Sequence, residues 1–175
     1  GYASRLNGRQ AFFGQGILWS GADVNLRLTY YGLFQTPTLT LPPNAKVTRA
    51  WVDVTGQDTR GLWPGSGQWF LRLLSPSVNT GFTGLTFDTA GAAPVDATIP
   101  PTVLTADLGV GRVNTFTFSA EQLKLLQGRS GQPLSVTSTV CSHWADRLRS
   151  LVTMVQPSGI SRMAALPALI IGSMV

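Results

Sequence analysis

The sequence has very little of the chemistry on which most enzymes depend. It contains one cysteine, Cys141, and one histidine, His143, so it can form no intrachain disulfide and has no second imidazole base. Charged residues make up 12% of the 175 residues, about half the usual share. With 43% apolar residues, the chain is too hydrophobic to be disordered, and the low charge suggests that other subunits cover part of its surface.

Long hydrophobic runs are also missing. The longest apolar tract, 164–171, is too short to span a bilayer and contains Pro167. The first residues show no charged region followed by an apolar run, which predicts that there is no secretory signal. We therefore expect no membrane association.

The positive charge is small and dispersed. The formal net charge is +5, and eleven of the thirteen cations are arginine. The arginines are scattered singly, unlike the clustered basic residues of a nucleic-acid footprint, so no nucleic-acid partner is predicted. Arginine is enriched at protein interfaces because its planar guanidinium makes paired hydrogen bonds and stacks on aromatic rings.

One segment contains the residue types of a nucleophilic triad within six positions, Cys141-Ser142-His143-Trp144-Ala145-Asp146. Triad members normally converge from separate elements, and neighbours in a strand or turn point in different directions. The segment therefore predicts a turn between strands. No catalytic residue is assigned, and we expect that the protein is not an enzyme.

Metal and cofactor sites are equally weakly supported. Because the chain has only one histidine, one cysteine and one glutamate, the remaining candidate metal ligands are aspartates, and these are dispersed along the sequence. Asp53 and Asp58 could share a cation, and either could pair with Glu121 as the two carboxylates of a glycosidase, but the spacing favours neither. No glycine-rich run precedes Lys-Ser or Lys-Thr, so no phosphate loop is present. We expect no metal and no cofactor.

Short alternating apolar runs indicate an all-β chain. A jelly-roll-like β-sandwich of about eight to nine strands is expected, because the runs are short and separated by Gly- and Pro-rich turns. Ser119 with Gln122 forms a capping-box pattern that predicts one short helix ending near Gln127 before Gly128. The predicted strands are Val24–Tyr30, Lys46–Thr55, Gln68–Leu74, Gly81–Phe87, Val103–Leu108, Val113–Phe118, Gln132–Val140, Leu148–Val155 and Pro167–Ile171, with a loop over 88–101.

Residues 1–23 read as an extended N-terminal arm before a sandwich domain over 24–175. The arm has no sustained alternation, yet it carries Phe12, Phe13 and Trp19, too much apolar surface for a solvated tail. Two interpretations stay open: the arm lies across its own core, or it docks onto a neighbouring subunit. In the second, Arg5 and Arg9 pair with acidic groups of that subunit.

A second candidate contact is the loop 56–67 between the strands Lys46–Thr55 and Gln68–Leu74. It is too long for a tight hairpin and too rich in glycine to pack as a regular element. We expect Trp63 and the nearby Arg60 to be exposed there, at a subunit interface or under a glycan. Trp51 and Trp69 lie within strands and are predicted to be core residues.

The order of elements resembles that of jelly-roll carbohydrate-binding-type domains of cell-surface and phage structural proteins. LPPNAKVTRAWVDV looks like the entry to a long strand in those domains. VNTFTFSAEQLKLLQG is similar to their later strand with its one-turn helix, and LPALIIG to their final strand. Where such domains bind calcium through clustered acids, this chain has none, which argues against a metal-assisted sugar site.

The small size, low charge and apolar arm resemble those of phage decoration (cement) proteins and head fibres. The resemblance implies a virion protein, commonly a trimer, that stabilises contacts of the major capsid protein or other virion subunits through its N-terminal arm. The alternatives are a receptor- or glycan-binding module of a tail fibre or spike, which would bind a surface glycan, and a jelly-roll coat protein.

Overall fold

A computed structural model describes residues 2–4, 11–13, 18–23, 28–55, 68–104, 111–141, 152–155 and 169–173. These residues form eleven β-strands and two short α-helices, and the strands make two antiparallel sheets. The expectation of an all-β, sandwich-like fold with little helix is confirmed.

The strands are β1 (Tyr2–Ser4), β2 (Ala11–Phe12), β3 (Leu18–Asp23), β4 (Leu28–Gln35), β5 (Val47–Thr55), β6 (Gln68–Leu74), β7 (Val95–Leu104), β8 (Val113–Thr117), β9 (Ser135–Cys141), β10 (Val152–Val155) and β11 (Leu169–Ser173). The helices are α1 (Phe87–Gly91) and α2 (Ala120–Gln127), and single 3-10 turns cover Pro76–Val78 and Phe82–Gly84.

The two sheets differ in size. The larger sheet has the strand order β10-β3-β4-β9-β6-β7, and β1 joins it by pairing with β4 and β2. The smaller sheet has the order β11-β5-β8. Strand β6 is hydrogen-bonded to β9 on one side and to β7 on the other, as its apolar residues on both faces predict.

The described N-terminal stretches lie in the larger sheet. Strand β1 pairs with β4 through Tyr2 opposite Gly32 and Ser4 opposite Tyr30. Strand β3 pairs with β4 on one side and with β10 on the other. The backbone of these stretches is therefore hydrogen-bonded to the rest of the same chain.

The main core fills the space between the two sheets. The larger sheet contributes Trp69, Leu71 and Leu73, which are alternate residues of β6. The smaller sheet contributes Val52 and Phe116, among others. The Trp69 and Phe116 rings meet edge-on with their centroids 5.2 Å apart, a favoured aromatic geometry. This contact joins the two sheets directly.

A second apolar cluster covers part of the opposite side of the larger sheet. It contains Ala3, Leu33, Leu74, Val78, Phe82 and Ala90, with Phe13 and Tyr31 packed against it. Helix α1 lies close to β4 here, since a Cβ at Gly91 would stand 2.9 Å from the Tyr31 hydroxyl. Only glycine fits at that position without moving the ring.

Helix α2 forms as its capping box predicts. The Ser119 hydroxyl accepts from the Gln122 amide nitrogen, the Gln122 side chain accepts from the Ser119 amide, and Gly128 is the C-cap. The Gln127 side chain then fixes the helix to the start of β5, accepting from Val47 N at 2.7 Å and donating to Ala45 O at 2.8 Å. A side chain thus caps the start of the helix, and at its end the Gly128 backbone N–H donates to the carbonyls of Lys124 and Leu126.

Two predictions between residues 81 and 104 are wrong. The strand expected over Gly81–Phe87 is a 3-10 turn, Phe82–Gly84, followed by the start of α1. The loop expected over 88–101 contains α1 and most of β7. The prolines of β7 fall where the β6–β7 register shifts, between Ile99 and Val103, and β7 is the last strand in the order of the described sheet, a position that tolerates proline.

Candidate functional site

The outer face of the smaller sheet carries a concentration of aromatic and charged side chains. Strand β5 alternates, burying Ala50, Val52 and Val54 in the core. The intervening residues therefore point away from the core. We call this surface the tryptophan face; it consists of Arg49, Trp51 and Asp53 on β5 with Thr115 and Thr117 on β8.

Arg49 and Trp51 are stacked on one another. The Arg49 guanidinium carbon lies 4.8 Å from the centroid of the Trp51 ring, within the range of a cation–π contact. Arg49 is exposed and Trp51 is half-buried. Among the described residues no carboxylate pairs with Arg49, so its hydrogen-bonding capacity is open to a partner.

Asp53 fixes the orientation of the indole. The Trp51 Nε1–H donates to Asp53 Oδ2 at 3.2 Å, and the Thr115 hydroxyl donates to Asp53 Oδ1 at 2.6 Å. Thr115 stands directly opposite Asp53 in the β5–β8 ladder, so the two strands hold the carboxylate between them. The indole is thereby oriented before any partner arrives, which lowers the entropy lost on binding.

The neighbouring strands set the shape of the tryptophan face. Thr117 of β8 pairs with Trp51, and Gly172 of β11 pairs with Arg49. The glycine adds no side chain beside the arginine. At the other end Val113 is 56% exposed opposite Thr55, which extends the face with an apolar patch.

The chemistry of this face suits binding rather than bond-breaking. It offers one aromatic ring, one guanidinium, one carboxylate and two hydroxyls, and its carboxylate is already engaged by Trp51 and Thr115. Within the described part of the chain, no three His, Cys, Asp or Glu residues could together hold a metal ion. In the same part, no helix is long and apolar enough to cross a membrane.

Four of the predicted contact residues, Arg5, Arg9, Arg60 and Trp63, lie outside the described residues. The loop 56–67 that carries the last two begins directly after Thr55, the end of β5. Those two residues therefore follow the Asp53 end of the tryptophan face in the chain.

The three aromatic residues of the predicted arm fall on described backbone. Phe12 belongs to β2 and Trp19 to β3, but their side chains are outside the described part. Phe13 is half-buried, and its ring lies 5.2 Å from that of Phe82 in the second apolar cluster. At least Phe13 therefore contacts its own chain.

The other candidates are not brought together as sites. Cys141 is the last residue of β9, and 142–146 lie outside the described residues, as does Asp58. Glu121 is exposed in the first turn of α2. Nothing in the described residues places a second carboxylate beside Asp53.

The feature that sequence reasoning missed is Trp51. Its assignment to the core is wrong, whereas that of Trp69 is right, with Trp69 fully buried. The signal was present in the strand itself, because Trp51 shares its alternation phase with Arg49 and Asp53 rather than with Val52 and Val54.

Comparison with known proteins adds no family: no protein-family model matches the chain, and no curated protein shows significant similarity to it.

Proposed function

We propose that the chain is a non-enzymatic structural protein of a virus particle, a decoration (cement) protein that stabilises contacts between coat subunits. The observation that carries the proposal is the tryptophan face, where an oriented Trp51 and an exposed Arg49 lie on the outer side of the smaller sheet. Tryptophan and arginine are the residues most enriched among those that dominate the energy of protein interfaces.

The partner would be another virion subunit with a carboxylate or carbonyl group facing Arg49. Burial of Trp51 and of the exposed Val113 contributes the apolar part of such a contact. Paired hydrogen bonds from the Arg49 guanidinium fix the orientation of the partner. The predicted N-terminal contact through Arg5, Arg9, Phe12 and Trp19 is a second part of the same proposal. A homotrimer located in the virion is the expected assembly.

The finer fold assignment is a jelly roll. After β4 the chain passes from one sheet to the other at the connections β4–β5, β5–β6, β7–β8, β8–β9 and β10–β11. Repeated crossing between two antiparallel sheets is how a jelly roll winds. The crossings support this assignment over a meander within each sheet.

The test of the cement proposal is co-sedimentation with assembled shells of the virus that encodes the chain. Changing Trp51 to alanine should weaken shell binding by at least about tenfold, since truncating a central interface tryptophan commonly costs 2 kcal/mol or more. Lys124→Ala, an exposed change on α2, should bind as the unchanged protein does.

Three results would count against the proposal. Equal binding by the Trp51 and Lys124 variants would remove the tryptophan face as the contact. Absence of any binding by the unchanged protein would remove the cement function. Closed particles formed by the purified chain alone would point instead to a coat protein.

A second candidate function, glycan binding in a tail fibre or spike, is favoured by the bonding around Asp53. Protein sites for sugars combine an aromatic platform with nearby polar groups, and here Asp53 and Thr115 stand beside the oriented Trp51 ring. Arg60 and Trp63 would extend the platform from the adjoining loop. The ligand would be a surface polysaccharide of the host.

Binding to an array of bacterial surface glycans separates the two functions. Glycan binding that is lost both in Trp51→Ala and in Trp63→Ala, with unchanged circular dichroism, would establish the alternative. Retained binding in both variants would locate any sugar site elsewhere, and no binding to any glycan would leave the cement function.

A further inference from the structure

Two polar groups inside the sandwich have no hydrogen-bond partner. They are the indole Nε1 of Trp69 and the hydroxyl of Ser138, and both side chains are 0% exposed. Burial of a donor or a hydroxyl without a hydrogen bond is unfavourable, and native interiors satisfy almost all such groups with protein or water. Two such groups on neighbouring strands are therefore candidates to share one hydrogen-bonding partner.

The strand register places these two groups on the same face of the larger sheet. Ser138 of β9 stands opposite Leu71 of β6, and Trp69 is two residues from Leu71 on the same strand. Ser138 is thus the diagonal neighbour of Trp69, a separation of roughly 7–8 Å between residues that a long aromatic side chain can reach across. Both residues face the core between the sheets, where Trp69 contacts Phe116.

The position opposite Ser138 on β4 carries no side chain. Gly32 of β4 stands opposite Ser138, and Gly21 of β3 stands opposite Tyr30, two residues from Gly32. One row further along, the equivalent positions are filled by Phe34, Val136 and Leu73, all buried in the core. A glycine of the adjoining strand therefore stands opposite the serine whose hydroxyl is unpaired.

We infer that an internal water molecule is bound at this position, accepting a hydrogen bond from Trp69 Nε1 and bonded to the Ser138 hydroxyl. Water is favoured over an organic ligand because only two small polar groups are offered and the flanking residues are apolar. Internal waters in proteins take two to four hydrogen bonds to otherwise unsatisfied groups. With this water bound, the Ser138 hydroxyl is hydrogen-bonded and stabilises the folded state.

The direct test is a water-selective NOE and ROE measurement on the full-length, 15N-labelled protein, with the Trp69 indole signal assigned by its loss in Trp69→Phe. A water cross-peak to the Trp69 Hε1 proton, weakened or lost in Ser138→Ala, is the expected result. Absence of that cross-peak in the unchanged protein would overturn the inference. A mass in excess of the chain in native mass spectrometry would show an organic ligand in its place and overturn it too.

The sign of the Ser138→Ala effect on stability is an independent test. With a shared water, this change should lower the folding equilibrium constant several-fold, because the water loses a partner and Trp69 is left unsatisfied. With a dry site, removing an unpaired hydroxyl should leave the constant unchanged or raise it, which would contradict the inference. The change is small enough that the fold can be checked by circular dichroism.

A double-mutant cycle then shows whether the two groups share one molecule. Trp69→Phe and Ser138→Ala should be non-additive by about fivefold or more in the folding constant, the coupling expected for residues in one network. The matched control is Ser20→Ala, which also removes a buried, unpartnered hydroxyl. Ser20 lies on β3, three strands from β6, so its combination with Trp69→Phe should be additive within about twofold. Additivity in both pairs would refute a shared water.

Discussion

Replacing Arg129 with methionine should lower the free energy of unfolding by about 1–3 kcal/mol, the cost of leaving a buried carbonyl without its charged hydrogen-bond donor. The Arg129 side chain is 5% exposed, and its guanidinium forms a salt bridge with Asp96. A second guanidinium nitrogen donates to the carbonyl of Leu74 at 2.8 Å. Methionine keeps much of the volume, so the loss reports the missing charge and hydrogen bonds rather than a cavity.

Urea denaturation of the purified variants measures this loss as a lower midpoint at an unchanged slope. Lys124→Met is the matched control, since Lys124 is an exposed cation on the adjoining helix α2, and a change within about 0.5 kcal/mol is expected. Asp96→Asn should also destabilise, because it leaves the buried guanidinium without its counter-charge. If the Arg129 variant unfolds like the Lys124 control, the salt bridge contributes no stability.

Arg129 illustrates which parts of the structure can be predicted from the sequence and which cannot. The capping box and Gly128 identify the helix that precedes Arg129, because those signals are local. Nothing local marks Arg129 as buried. Its partners, the Leu74 carbonyl and the Asp96 carboxylate, are 55 and 33 residues away in sequence, so the contact exists only once the sheets have formed.

Three strands, β5, β6 and β8, were predicted closely. The boundaries of β6 agree with the prediction at both ends, and β5 and β8 agree to within one residue. Each is bounded by turn residues and carries a run of apolar or alternating side chains, which is the primary strand signal. The strands β1 and β3 lacked that signal, because they form through pairing with β4 rather than through a pattern of their own.

The two wrong secondary-structure predictions between residues 81 and 104 have a common cause: in each segment one local sequence signal competed with another. Thr86 with Thr89 makes a reciprocal cap at the start of α1, but the apolar residues around it were taken for a strand. The adjacent Pro100 and Pro101 favoured a loop. An edge strand tolerates proline, and the position of β7 at the edge depends on the whole sheet order.

The predicted contact loop 56–67 follows β5, whereas the candidate site lies on β5 itself. Exposed tryptophan and arginine were expected at Trp63 and Arg60, and the described pair is Trp51 with Arg49. A strand tryptophan is usually a core residue, and this general tendency outweighed the alternation phase. For Trp51 the alternation along β5 predicts burial better, because no described residues form a layer over the outer face of β5.

Changing Phe116 to alanine should lower the free energy of unfolding by about 3–5 kcal/mol, the range for removing a buried phenylalanine. Phe116 of β8 is 0% exposed and contacts Trp69 of β6 edge-on. The aromatic pair contributes about 0.5–1.5 kcal/mol beyond the area that it buries. Since this pair joins the smaller sheet to the larger one, the variant should also lose cooperativity between the sheets.

Thermal unfolding followed by tryptophan fluorescence and by circular dichroism tests both parts of this prediction. In the unchanged protein the two signals should coincide, whereas in Phe116→Ala the midpoint should fall and the signals should separate. Val113→Ala is the matched control, because it removes an apolar side chain from the same strand at a position that is 56% exposed, and it should shift stability by less than about 0.5 kcal/mol. Similar losses in the two variants would mean that the two sheets do not share the core that contains Trp69 and Phe116.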